Sequence, residues 1–240
     1  MKIPGWSDRK GHLKIAALAD VHLGSHANDV SRLTEIVSTV NGWNADIILL
    51  LGDFMNTQLF GGGRIPPHTI AEILQPLNCR LGTYAVLGNH DWHYDGHSVW
   101  TALEDHGIAV FENTSRKIED ALGDFWIIGL ADEQTRQPDI DSAFAAIEGN
   151  EPALVMAHDP ATFSKIPDGP YLTLSGHTHG GQFRLPIVGP IVNSSDAPLK
   201  WSSGHIVENG RHLFVSRGLG TSIFPFRFNC PPEICFLTIN

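Results

Sequence analysis

Cysteine is almost absent, and the three present, Cys79, Cys230 and Cys235, form an odd and irregularly spaced set. A disulfide framework is therefore not the scaffold, and buried apolar packing is the expected role of all three. A zinc clip at Cys230-x4-Cys235 would need two further ligands beside it. No run of eighteen apolar residues occurs, and Met1 to Gly11 lacks the apolar stretch of a secretory signal, so no spanning helix or leader is expected and the cytoplasm is the expected compartment. An anchor upstream of the first strand would instead place the protein at the cell envelope. Positive charge is scarce: 16 Lys and Arg against 26 Asp and Glu leave a formal net charge of -10. That argues against a nucleic-acid footprint, which needs clustered cations. It leaves room for a phosphate-bearing substrate, because bound divalent cations would invert the local field. There is no internal repeat, no low-complexity segment and no G-x-S-x-G elbow, which sets aside a serine hydrolase.

What the chain does have is a repeated plan, in which a short apolar run ends in glycine and polar residues and a helical segment follows. With 240 residues, 42% hydrophobic and 18% charged, it has the length for one sizeable core, and a single domain over residues 1–240 is expected. Leu13 to Ala19, Asp46 to Leu51, Thr83 to Leu87, Phe125 to Leu130, Ala153 to Ala157 and Leu172 to Leu174 read as buried strands of an α/β fold. Asn28 to Gly42, with Val30, Leu33, Ile36, Val37 and Val40 on one face, reads as an amphipathic helix; Pro67 to Leu77 and Ser98 to His106 read as two more. Phe60 to Arg64 is a glycine-rich loop on the rim without the pattern of a nucleotide-binding loop. Near the C-terminus, His205 to Val207 and His212 to Ser216 flank an Asn-Gly hairpin signal, and Ile234 to Ile239 is a last strand.

The strand ends carry the chemistry. Asp20 and His22 follow the first run, Asp53 the second, Asn89 the third; His158 follows Ala153 to Ala157, and His177 and His179 follow Leu172 to Leu174. In an open α/β sheet, ligands collect beyond the carboxyl ends of the strands. Residues i and i+2 of an extended segment face one side, so the Asp20/His22 and His177/His179 pairs can each reach a common centre. Any one of these residues has an ordinary reading as a helix cap, a turn residue or a satisfied core imidazole. Seven together do not. Imidazoles, carboxylates and one amide without cysteine suit Mn, Fe, Zn or Ni in a catalytic site, and seven donors exceed what one ion needs if water positions are kept, so two ions are expected, with Mn favoured.

Asp20-x-His22, Gly52-Asp53, Gly88-Asn89-His90-Asp91, His158 and Gly176-His177-Thr178-His179, in that order, resemble the motif set of the calcineurin-like metallophosphoesterase superfamily. Ser175 to Gln182, Ser216 to Ser222, Pro225 to Arg227 and Pro232-Glu233-Ile234 further resemble its bacterial YkuE/YaeI-type phosphodiesterase branch. The resemblance implies a four-layer αββα arrangement, two packed mixed β-sheets flanked by helices. It also implies that Asp20, His22 and His179 hold one divalent ion, that Asn89, His158 and His177 hold the other, and that Asp53 bridges them. Catalytic roles would fall to Asn89 and His90, which hold phosphoryl oxygens, and to Asp91, which orients and charges His90. The implied reaction is phosphodiester hydrolysis by a metal-bridging hydroxide in line with the leaving oxygen. Alternatives are an enzyme acting on a lipid-linked pyrophosphate such as UDP-2,3-diacylglucosamine, a non-catalytic metal-binding scaffold of the same fold, and a nuclease, which the acidic charge disfavours. Arg217 is either a further phosphate contact or half of a structural ion pair. Ile223 to Phe228 reads first as strand and core; if exposed beside the metals it would point to a membrane surface or a lipid-linked substrate.

Overall fold

A computed structural model describes residues 1–6, 10–26, 28–57 and 62–240. In chain order its strands are β1 (Leu13–Leu18), β2 (Ile47–Leu50), β3 (Thr83–Ala85), β4 (Ala109–Val110), β5 (Thr114–Ile118), β6 (Phe125–Gly129), β7 (Ala153–Met156), β8 (Tyr171–Ser175), β9 (Arg184–Leu185), β10 (Gly189–Pro190), β11 (Gly204–Glu208), β12 (Arg211–Val215) and β13 (Cys235–Ile239). The helices are α1 (Val30–Trp43), α2 (Pro67–Leu74), α3 (Asn89–Asp105) and α4 (Ile140–Phe144).

Two mixed sheets result. One runs in the order β13, β1, β2, β3, β4, parallel except where β13 pairs antiparallel with β1. The other runs β11, β12, β8, β7, β6, β5, with a parallel centre and antiparallel edges. Alternation along each strand explains the layering. Ile15 and Ala17 of β1, Ile47 and Leu49 of β2, Leu154 and Met156 of β7, and Leu172 and Leu174 of β8 meet in the seam between the sheets. The intervening residues face outward: Ala16, Leu18, Ile48 and Leu50 pack under Leu33, Ile36, Val37 and Val40 of α1, and under α2 and α3. Val155, Leu213 and Val215 pack under Ala143 of α4 and under Phe163 and Trp201. Both faces of the central strands are covered, which is why they read as unbroken apolar runs.

Asp29 caps α1, accepting from the Arg32 N–H at 2.9 Å, and the helix continues one residue past Gly42 before Asn44 closes it in the left-handed region. Val30, placed on the apolar face, is exposed instead. The third helix starts at Asn89 rather than Ser98, because Asp91 at its third position accepts the Gly88 N–H and anchors a first turn that has no apolar periodicity; Asp95 kinks it. Strands β4 and β5 were not expected, the latter being the polar edge sequence TSRKI. Cys230 and Cys235 are buried and Cys79 only half-buried, and all three are free thiols. Phe60 and Gly61 of the glycine-rich loop lie outside the described residues; Gly63 donates to the Gly24 carbonyl at 2.9 Å. No helix among the described residues is long and apolar enough to cross a membrane.

Candidate metal centre

All the charged and imidazole ligand candidates sit just past carboxyl ends of strands, and at all of them except His158 the backbone is strained. Asp20 (φ 51°), His22 (φ 38°), Asp53 (φ 59°), His177 (φ 67°) and His179 (φ 50°) adopt left-handed conformations. Asp and His tolerate this region better than most residues but still prefer others. Each chain turn is therefore bent so as to aim a short side chain across the seam.

The side chains converge. Asp20, His22 and His179 present ligand atoms within 4.8 Å of one another, and so do Asp53, His158 and His177. Asp53 stands between the groups: its Oδ2 is 3.5 Å from His22 Nε2 and 3.3 Å from His158 Nε2. His22 Nε2 and His179 Nε2 are 3.2 Å apart, and His177 Nδ1 and His158 Nε2 3.1 Å apart. A third grouping of His22, Asp53 and His90 is as tight, so proximity alone does not separate His90 from the ligands. Asp20 Oδ2 and Asn89 Oδ1 are buried with no hydrogen-bond partner. Orphaned buried acceptors fit divalent cations, which would satisfy them.

Tautomers are set from behind. The rings of His22 and His158 donate from Nδ1 to the carbonyls of Met55 (2.9 Å) and Leu51 (2.7 Å), leaving Nε2 as the ligand atom. His177 is reversed, with Nε2 2.9 Å from the Ser194 carbonyl and from Gln134 Nε2, and Nδ1 turned inward. His179 is the exception: the cationic Arg227 Nη2 stands 3.2 Å from its Nδ1 where a carbonyl would be usual. Gln134 and Ser194 were missed in the sequence; Gln134 lies two residues past Asp132, beyond the end of β6, where the strand-end rule could have found it.

Burial dominates the electrostatics. It lowers His22 to about 4 and pushes His179 well below the usual imidazole range, with His22 and Arg227 adding to the effect on His179. Burial also raises Asp20 to about 7. Burial opposes ionisation at Asp53 and His158 as well, but each offsets it for the other: His158, then His90, holds Asp53 well below the carboxylate range, and Asp53 holds His158 well above the imidazole range.

The expected partnership of Asp91 with the His90 ring is a correction. Asp91 is fully buried, and its oxygens accept the backbone N–H groups of Asp53 (2.8 Å), Phe54 (2.8 Å), Met55 (3.0 Å) and Gly88 (3.0 Å). Four convergent donors hold it beneath the site. The neighbour of His90 Nδ1 is instead the Thr57 hydroxyl, a residue with no motif around it. The His90 backbone N–H donates to Asp53 Oδ1 at 2.9 Å. Arg217 makes the structural pair, with Nε 2.7 Å from Glu233 Oε2. Ile223, Phe224, Phe226 and Phe228 are exposed, so the core reading of that segment is overturned. Clearance is small: a Cβ on Gly88 would stand 2.3 Å from Asp53 Oδ1, and one on Gly218 2.6 Å from Asp20 Oδ2.

Residues 13–181 match the family model for calcineurin-like phosphoesterase. YkuE of Bacillus subtilis, an uncharacterized metallophosphoesterase, is 29% identical over 95% of this chain and 79% of that protein. Phosphodiesterase YaeI of Escherichia coli is 31% identical over 98% and 89%. UDP-2,3-diacylglucosamine pyrophosphatase LpxG of Chlamydia trachomatis is 26% identical over 94% and 83%. Among solved structures, the Haemophilus influenzae NAD nucleotidase superposes with a TM-score of 0.58 at 15% identity, over 88% of this chain and 51% of that one. That likeness is one of fold alone, and this chain spans about half the length of that protein.

Proposed function

The chain belongs to the calcineurin-like phosphoesterase family and is a metal-dependent hydrolase of phosphoesters, and from its site we propose that it is a phosphodiesterase working with two divalent ions, manganese being favoured. The observation that carries this reading is Asp53, whose one carboxylate oxygen faces His22 of one ligand group and His158 of the other. Asp20, His22 and His179 would hold the first ion, Asn89, His158 and His177 the second, and Asp53 would serve both. Ions bound there supply Lewis acidity, activating water at neutral pH and neutralising phosphoryl charge.

The protein's own groups do the rest. The carbonyls of Met55, Leu51 and Ser194 keep the rings of His22, His158 and His177 in ligand tautomers. His90, half-buried beside Asp53 and His22, would bind a phosphoryl oxygen and pass a proton to the leaving oxygen, with the Thr57 hydroxyl against its Nδ1. Asp91 positions rather than reacts, gathering the turn after β2 and the start of α3 around one carboxylate.

The test is hydrolysis of bis(p-nitrophenyl) phosphate beside p-nitrophenyl phosphate by manganese-loaded protein, with Asp53→Asn as control. Diester cleavage abolished in the variant supports the reading; two ions bound with neither ester cleaved would favour a non-catalytic scaffold. A second reading, hydrolysis of a lipid-linked pyrophosphate, is favoured by the likeness to LpxG and by the apolar side chains exposed beside His179.

A further inference from the structure

Beside His179 the surface changes character. The turn between β9 and β10 exposes Ile187 at 108% and Val188 at 70%, the segment after β10 exposes Val192 at 60%, and the loop after Ser222 exposes Ile223 at 62%, Phe224 at 53% and Phe226 at 56%. The stretch through β9 and β10 and this loop are tied into one ledge. Gln182 Nε2 donates to the Phe224 carbonyl at 3.1 Å, and Gln182 Oε1 accepts the Ser222 N–H at 2.9 Å. Arg184 N–H donates to the Phe228 carbonyl at 3.0 Å, and Phe183 stacks edge-on against Phe224 and Phe226. The apolar side chains are thus held outward on a braced support.

Two of the tips are doubly unfavourable in water. Ile187 (φ 69°) and Ile223 (φ 62°) occupy the left-handed region that β-branched residues avoid, and both present their side chains to solvent. Glycine or asparagine would suit both positions. Charge separates this ledge from the rest of the molecule. Residues 182–193 and 220–230 contain no Asp or Glu, in a chain with a net charge of -10. Their two arginines, Arg184 and Arg227, donate to carbonyl and hydroxyl oxygens rather than to carboxylates. Exposed aliphatic and phenyl tips beside the Arg184 guanidinium, with no carboxylate among them, complement a layer that is apolar inside and phosphate-bearing at its rim; Arg227 turns inward toward His179 and Asp20 instead.

A cavity of about 130 Å³ opens between the ledge and the metal centre, lined by His179, Gln182, Phe183, Val192, Asn193 and Phe224. A space of that order suits a benzene-sized group, so it can take the first carbons of a hydrocarbon stem and not a whole acyl chain. The remainder would have to stay in a lipid phase.

We propose that this ledge docks on a phospholipid surface, so that the centre receives an amphiphilic phosphoester presented from that surface. Only the second half of that statement rests on the phosphodiesterase reading. The device has an internal linkage as well: Arg227 leaves the ledge to meet His179 at 3.2 Å, joining the docking element to a candidate ligand.

The test is flotation with vesicles of phosphatidylcholine and phosphatidylglycerol, comparing the full chain with Ile187→Gly and Phe226→Ser, with thermal melting alongside. Wild-type protein should float with the vesicles, and each variant should partition about tenfold less. Ile187→Gly should at the same time melt higher, because glycine relieves the left-handed strain; a folding defect would move both readouts down. Wild-type protein that stays in solution, or variants that float like wild type, would overturn the proposal. So would a concentration-dependent dimer that Ile187→Gly dissociates, since the occupant would then be a second copy of the chain. Flotation needs no turnover: absent flotation with intact diester cleavage removes the docking alone, and flotation without diester cleavage removes the phosphodiesterase reading alone.

Discussion

Asp91 accepts the backbone N–H of Asp53 at 2.8 Å, so the residue between the two ligand groups is held in place by a carboxylate that faces away from the reaction. Asp91→Ala would strand four buried N–H groups, at a cost of about 3 kcal/mol or more. A lowered Tm together with weakened metal binding is the expected result. A variant that melts normally yet loses only turnover would instead put Asp91 among the reacting groups.

Asp53→Asn keeps the shape but removes half the acceptor capacity and the charge that Asp53 directs at His22 and His158. Both ions should bind at least about a hundredfold more weakly, and isothermal titration should show loss at two sites rather than one. Loss of a single ion would mean that Asp53 does not bridge.

His90→Ala addresses the one imidazole whose proximity leaves two roles open. Turnover should fall by about 10² to 10⁴, while metal content, read by elemental analysis after gel filtration, stays at the wild-type value. Metal loss would make His90 a ligand.

Gly88→Ala tests clearance. Gly88 has φ -106°, so alanine is conformationally acceptable there and the effect is steric. Its Cβ would meet Asp53 Oδ1 at 2.3 Å and His158 Nε2 at 2.7 Å. Metal affinity should drop sharply with little change in secondary structure by circular dichroism.

The pH dependence has a definite sign. Burial raises Asp20 to about 7, burial and then the Asp53 charge raise Asp91 to about 7, and the Asp53 charge holds His158 above its usual range. Asp20 and His158 must lose protons to serve as ligands, so metal affinity should weaken as pH falls through about 7. For the metal-free protein the sign is opposite. Above the ordinary imidazole range the native state holds more of these protons than the unfolded chain, so stability is lost as pH rises. The imidazoles with lowered values act only at more acid pH. Protein treated with a chelator should therefore melt lower at pH 9 than at pH 7, and a reversed order would show that these groups titrate normally.

The buried strands and the Asp and His residues that cluster at their ends were legible because each is written locally, as an unbroken apolar run followed by polar residues; the pairing of two sheets came only from the family resemblance. The partners of those ligands were not. Thr57 sits in a turn whose sequence carries no period, and only the fold brings it to His90; Gln134 follows a strand end, but nothing local shows that it reaches His177. Asp91 was legible as a site residue and misread in its direction, since nothing in Gly-Asn-His-Asp tells a side chain facing the next ring from one facing the preceding turn. The start of α3 was hidden for a related reason: Asn89 to His97 is polar and histidine-rich, and its helix is fixed by a cap and by tertiary contact. Ile223 to Phe228 failed in the opposite way, because an exposed apolar ledge and a buried strand have the same composition.

Asp20 and Asp53 rise from one sheet, His158 and His177 from the other, and the 3.3 Å approach of Asp53 to His158 crosses the join between them. An ion held there is a rivet through two plates. Amide exchange in β2 and β7, strands that share no hydrogen bonds, should slow together when metal is added, and a chelator should free both halves at once.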